Sequence, residues 1–333
     1  MPLVDLTRVI REDMSVYPGD PYFGSRAFAE HALDGFHGAC YQLGSHLGTH
    51  LDAPFHYFID GESLDSFPLD FFTGDAVCLD LRETLRTRLA TLKHNSSERE
   101  RRVALELTPS DLQGFEVYLD SISIILLCVD WHSHFGAPDY YTSFPSITPE
   151  TADWLADYPK LRILGLETPS LSTTPSSEIN LTQEIRGEEQ DASASQSATT
   201  EQTAVSAQDG EALFDAEFSE YLPTSHVAVE APRLTLDVVA TQEPLNELEL
   251  CADAECHRIL LGRRPPILPL EGLVDLERLP LVQISPGERA AYDSSKVFEF
   301  FCFPLPISGA DGCPVRAVAR TQSDACQGAS CNE

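Results

Sequence analysis

Between Ser45 and His56 the chain reads Ser-His-Leu-Gly-Thr-His-Leu-Asp-Ala-Pro-Phe-His, which places His46, His50, Asp52 and His56 within eleven consecutive positions. Imidazoles and carboxylates are metal-ligand groups, and two His with one carboxylate suit a borderline ion such as Zn²⁺, at distances near ~2.0 to 2.2 Å with one or more positions left for water. On a helix, at ~100° per residue, His46 and His50 share a face while Asp52 falls about 200° from His50. An extended chain puts 50 and 52 on one side, and Thr49 and Pro54 also disfavour a helix. A straight strand fails too, because at ~3.3 Å per residue it holds the Cα atoms of His46 and His50 about 13 Å apart. The spacing therefore predicts a bent strand, turned at Gly48 and again at Pro54, so that His56 returns over the site as a fourth polar group. Scattered surface histidines are the plainer alternative. Three His and one Asp in so short a run, punctuated by that Gly and Pro, favour the metal site.

The run His46-Leu-Gly-Thr-His50-Leu-Asp52-Ala-Pro-Phe-His56 resembles the signature of the cyclase family, whose best-known members are bacterial-type kynurenine formamidases. That resemblance implies that His46, His50 and Asp52 are metal ligands and that His56 is the acid/base residue. Three further stretches carry it. Tyr17-Pro18-Gly19-Asp20 has the Pro and Gly of a type II turn; the family's turn bears an aromatic at the substrate pocket, commonly Trp, and Tyr17 stands there. Glu167-Thr168-Pro169-Ser170 resembles a strand-to-loop segment whose acid, more often Asp, holds the loop. His257 and Glu271 match the residue types that complete the family's metal site, although Arg263 to Pro269 is slightly longer than usual. Gly309-Ala-Asp-Gly-Cys-Pro-Val-Arg316 is similar to its C-terminal motif.

The elements needed to position these residues can be read in outline. Leu3 to Ile10 reads as a strand or strand-loop, and Gly38 to Leu43, Ala76 to Leu81, Ile122 to Val129, Leu161 to Leu166 and Val297 to Pro304 read as strands, several apolar enough to be buried. Thr108-Pro109-Ser110-Asp111 and Thr148-Pro149-Glu150 are helix starts, each with a capping residue, a first-turn Pro and an acid. Leu85 to Arg102, charged and containing Ser and Asn, reads as a variable surface excursion. His132 and His134 would share a face of an extended segment and form a rival ligand pair, but a loop beside the site fits them better. Cys40 reads as a small buried apolar residue.

Composition limits the rest. A formal charge of −31 and a pI near 4.5 exclude nucleic acid and anionic membranes as natural partners, since both would be repelled. Between Gly187 and Glu255 there are sixteen Asp/Glu against Arg233 alone. No secretory signal and no run of ~18 uninterrupted apolar residues is visible, so the expected address is the cytosol. Nine Cys in so long a chain suggest reduced thiols rather than a disulfide framework. Neither Cys251 with Cys256 and His257 nor Cys326 with Cys331 has a second close pair to complete a metal clip.

Gly187 to Asp209 lacks periodicity and aromatics and reads as disordered. Residues 183–256 are expected to be an acidic insertion in one domain formed by 1–182 and 257–320, with 321–333 as a tail. Strands interleaved with capped helices indicate an α/β class. The resemblance refines this to the family's swivelling β/β/α domain, forming a homodimer. It further implies a metal-dependent amide hydrolase holding one or two ions, Zn²⁺ or alternatively Mn²⁺. The small-molecule substrate would be an aryl formamide, N-formyl-L-kynurenine giving kynurenine and formate. An isatin hydrolase-like lactamase, or a non-catalytic metal- or partner-binding protein, are the alternatives.

Overall fold

The computed structural model describes residues 1–93, 95–172, 252–285 and 287–322. Within them the strands in chain order are β1 (Leu3–Asp5), β2 (Gly24–Ala29), β3 (Gly38–Gln42), β4 (His50–Asp52), β5 (Thr73–Asp80), β6 (Glu106–Leu107) and β7 (Ile124–Cys128). These are followed by β8 (Ser146–Ile147), β9 (Ile163–Leu166), β10 (Leu268–Glu271), β11 (Leu281–Val282), β12 (Phe298–Phe301), β13 (Gly312–Pro314) and β14 (Val318–Arg320). The main sheet has the order β1-β14-β12-β5-β7-β9-β10-β4-β13, with β11 beside β5. β5, β7, β9 and β10 run parallel, and the strands beyond them on both sides pair antiparallel.

The central strands are buried on both faces, which is why they read as unbroken apolar runs rather than alternating ones. Their side chains divide with period two. Val77, Leu79, Ile125, Leu127, Leu164 and Leu166 enter one core with Ala152 and Leu155 of the helix Pro149–Ala156 and Cys256 and Leu260 of the helix Ala252–Gly262. Ala76, Cys78, Ile124, Leu126 and Ile163 enter the other, against Leu51, Leu268, Leu270 and Phe300. This is a mixed α/β fold, the class expected from the sequence, and its sheet is curled. β9 and β10 pair directly although 101 residues separate Leu166 from Leu268 along the chain, so the chain on either side of the acidic stretch meets in one sheet.

Several expectations need correction. Leu85 to Arg102 is helical over most of its length, in Arg82–Ala90 and Glu98–Leu105. The second helix begins with a capping box in which Ser97 and Glu100 satisfy each other's backbone N–H, a signal present in the sequence as Ser-x-x-Glu. Sparse apolar residues hid its periodicity. The helix starting at Pro109 lasts only to Leu112. Cys40 is half-buried in the separate β2–β3 hairpin rather than in the core. The helix carrying His257 begins at Ala252. The expectations for 183–251 and for the tail beyond 322 fall outside the described residues.

Candidate metal centre and substrate pocket

β4 lies between β10 and β13, and its register sets His50 opposite Glu271 on one side and Pro314 on the other. His50 and Asp52, two residues apart on an extended strand, face the same way, while Leu51 between them is fully buried in the core. The bend before the strand occurs at Gly48, whose φ is 68°, a left-handed conformation that glycine adopts freely. Thr49 fixes this corner: its hydroxyl donates to the Gly272 carbonyl at 2.7 Å and accepts from the Arg8 backbone N–H at 2.9 Å. Gly272 also has positive φ, 67°, and a Cβ there would lie 2.2 Å from the Gly48 carbonyl oxygen. Only glycine lets the end of β10 approach β4 so closely.

The turn after β4 is the single 3₁₀ turn Pro54–His56. It brings the His56 ring to 4.0 Å from that of His46, centroid to centroid. His257 arrives from its helix and Glu271 from the end of β10, with 3.2 Å between His257 Nε2 and Glu271 Oε1. The Tyr57 ring stacks on His257 at 4.8 Å.

Two donor groups therefore meet at Asp52. His46, His50 and Asp52 form one, and Asp52, His257 and Glu271 the other. His50 Nε2 lies 3.4 Å from Asp52 Oδ1 and 3.4 Å from Glu271 Oε2, and His257 Nε2 lies 3.5 Å from Asp52 Oδ2. Ligands bonded at about 2.1 Å in tetrahedral array stand about 3.4 Å apart, so these separations suit a common small cation. The donor types fit it as well. His50 Nδ1 faces the Gly48 carbonyl at 3.1 Å; a carbonyl only accepts, so Nδ1 carries the proton and Nε2 is left to face the carboxylates, as in a ligating imidazole. His46 is held differently, with Nδ1 at 2.7 Å from Asp52 and Nε2 at 3.0 Å from Asp311.

The electrostatics show how strongly this cluster calls for positive charge. Burial pulls the His50 pKa down, but hydrogen bonds to Asp52 and Glu271 outweigh it and raise it to about 10. His46 is likewise raised to about 9: burial opposes, and Asp52 and Asp311 prevail. Burial disfavours a charged Asp52, yet the two histidines hold its carboxyl well below the usual range. Protons act here as counter-charge to the acids; a divalent ion in the same place would displace them.

Asp311 was not singled out from the sequence, although it sits in the quoted Gly-Ala-Asp-Gly motif. Its Oδ2 accepts from His46 and stands 3.3 Å from His56 Nδ1. Hydrogen bonds to His46 and then His56 depress its pKa. It thereby links the donor cluster to His56.

Beside the cluster opens a pocket lined by His46, His50, Arg8, Tyr17, Tyr140 and Tyr141 among others. Tyr17 reaches it through the expected turn, closed by the Asp20 N–H donating to the Tyr17 carbonyl at 3.0 Å. It packs edge-on against Tyr141. Burial raises the Tyr141 hydroxyl to about 12, keeping this wall protonated. Phe135, Tyr140 and Tyr141 lie on an irregular loop, where no periodicity marks them in the sequence.

His132 and His134 stand outside this cluster. His132 Nδ1 donates to buried Glu167 at 2.7 Å, and Glu167 also accepts from the backbone N–H groups of Val129 and Asp130. His134 stacks on Trp131 at 4.1 Å. Cys256, once conceivable as part of a metal clip, is buried and donates its thiol to the Ile147 carbonyl; Cys251, Cys326 and Cys331 lie outside the described residues.

With this geometry in place, comparison with known proteins becomes informative. The isatin hydrolase A of Labrenzia aggregata, solved with benzyl benzoate bound, superposes with a TM-score of 0.57 at 19% identity, covering 96% of this chain and 93% of that one; this likeness concerns the fold. The kynurenine formamidase of Geobacillus thermodenitrificans (strain NG80-2) is 24% identical over 185 residues, 55% of this chain and 77% of the relative. That of Erythrobacter litoralis (strain HTCC2594) is 25% identical over 177 residues, 53% and 70% respectively. Residues 4–173, which contain the whole run from His46 to His56, match the family model described as "Putative cyclase". That match spans half of the chain, and the chain is a member of the cyclase family.

Proposed function

We propose that the chain is a metal-dependent amide hydrolase whose substrate is an aryl formamide, N-formyl-L-kynurenine being cleaved to kynurenine and formate. The observation that carries this reading is the pair of donor groups sharing Asp52 beside an aromatic pocket that His46 and His50 line. His46, His50, Asp52, His257 and Glu271 would hold one or two ions, Zn²⁺ or Mn²⁺. Such an ion, when bound, would lower the pKa of a water towards ~7 and would polarise the amide carbonyl.

The chain's own residues supply the rest. Tyr17, Tyr140 and Tyr141 line the pocket with aromatic side chains beside which an aryl group can lie. His56 stands next to His46 and is tethered by Asp311, so its imidazole can take a proton from the attacking water and return it to the departing aniline nitrogen. Tyr57 covers His257 and helps to keep bulk water from the acids beneath it.

A homodimer in the cytosol belongs to the same reading. Phe28, Phe36 and Tyr41 of the β2–β3 hairpin region are more than half exposed, an apolar surface on which a second copy could rest.

The test is a substrate panel given to metal-loaded protein: N-formyl-L-kynurenine, simpler aryl formamides and isatin-like lactams. Turnover of the open formamides ahead of the lactams supports the proposal. A preference for the rings would make the chain a lactamase, and no turnover of any amide would make it a binding protein.

A further inference from the structure

We propose that Arg8 is the specificity-determining residue of the pocket and binds a carboxylate carried by the substrate, so that the enzyme selects acidic aryl amides over neutral ones. The inference rests on the reading of this pocket as an amide-hydrolysing site and adds the chemical class of substrate it takes.

Arg8 and Asp20 are the lining's charged residues apart from the histidines of the donor cluster. The Arg8 guanidinium carbon lies 3.8 Å above the centre of the Phe135 ring, and its Nη2 donates to the Tyr140 hydroxyl at a long 3.4 Å. Among the described residues that hydroxyl is its only side-chain hydrogen-bond partner, and no carboxylate forms an ion pair with it. A guanidinium has five N–H donors in a planar fork that matches a carboxylate's two oxygens. Eight of the described arginines, Arg82, Arg278, Arg316 and Arg320 among them, each pair with an acid. In a chain of formal charge −31, an arginine held at a pocket wall by aromatic rings and left without an acid has donors to spare for a ligand.

Its position is fixed relative to the reacting centre. The Arg8 backbone N–H donates to Thr49, the neighbour of His50, at 2.9 Å, so backbone and donor cluster move as one piece. An aryl amide with a carboxylate remote from its scissile bond would therefore lie along the aromatic wall between Arg8 and the cluster, and a neutral analogue would lose that anchor.

A purely structural Arg8, stacked only to support Phe135, would affect every substrate alike when replaced. The test is accordingly a ratio. Wild-type, Arg8→Gln and Arg8→Lys holoenzymes are assayed on N-formyl-kynurenine and on its carboxamide, in which the anion alone is removed. Arg8→Gln is expected to reduce the acid-to-amide ratio of kcat/KM by about 10- to 100-fold, chiefly through KM, the range for charge-assisted hydrogen bonds. Arg8→Lys should restore part of it. An unchanged ratio, or equal losses on both substrates, overturns the proposal. If the wild type hydrolyses neither compound, the amide-hydrolase reading has failed independently, and calorimetric binding of kynurenine against kynurenine carboxamide decides the role of Arg8. A wild-type preference for the acid that Arg8→Gln abolishes then sustains it, and its absence or persistence refutes it.

Discussion

Three histidines close together in one peptide are given separate roles by the acids each of them meets. His50 faces Asp52 and Glu271 in full burial, whereas His56 is partly exposed and meets Asp311 alone. Asp52→Ala removes the group shared by both donor sets and should abolish bound metal and turnover together, with wild-type metal content in the purified variant as the contrary result. His56→Ala should keep its metal and lose turnover by ~10² to 10⁴, the usual worth of a positioned proton-transfer group. A metal-free His56→Ala protein would make His56 a ligand. Away from the centre, His132 offers a titration with a defined sign. Its hydrogen bond to Glu167 raises its folded pKa despite partial burial. The stabilisation is therefore complete below the unfolded value of ~6.5 and is lost as pH rises through the raised folded value. The melting-temperature deficit of His132→Gln should be larger at pH 6 than at pH 9, and a deficit independent of pH would contradict the linkage.

At the scale of elements, the centre depends on β4 and β10 meeting through two glycines. Gly272→Ala would place a Cβ 2.2 Å from the Gly48 carbonyl oxygen, at a φ that alanine adopts with strain. The end of β10 must then withdraw and take Glu271 with it. We expect a folded protein, by circular dichroism, that binds markedly less metal; unchanged metal content would show that the close approach is dispensable. The bend at Gly48 and the turn at Pro54 were legible in the sequence because metal-ligand spacing is incompatible with either a helix or a straight strand. Buried strands such as β7 and β9 were legible from their apolar runs. The helices Arg82–Ala90 and Glu98–Leu105 were not, since charged residues dominate both and few apolar side chains mark a face. Asp311 was hidden for another reason: it is 255 positions from His56, and only strand pairing between β13 and β4 brings it there.

Across the whole molecule, the donors come from distant parts of one chain, His46 to Asp52 early and His257 to Glu271 late, joined by the direct pairing of β9 with β10 and of β10 with β4. Deleting Gly187 to Asp209 leaves every one of these strands in place, and a shorter connection still closes. Folding and metal binding should survive it. Because the deleted stretch has no aromatic or large apolar side chain with which to cover an aryl substrate, kcat/KM should hold as well; a large fall at constant metal loading would identify this stretch as part of the active site. The central claim is that amide hydrolysis depends on an ion held at Asp52. Its most direct test is to strip the protein of metal, add Zn²⁺ or Mn²⁺ in steps, and follow bound metal and N-formyl-L-kynurenine turnover in the same samples. The account predicts that activity is absent from the stripped protein and rises with occupancy until the site is filled. Full loading without turnover, or turnover by metal-free protein, would contradict it.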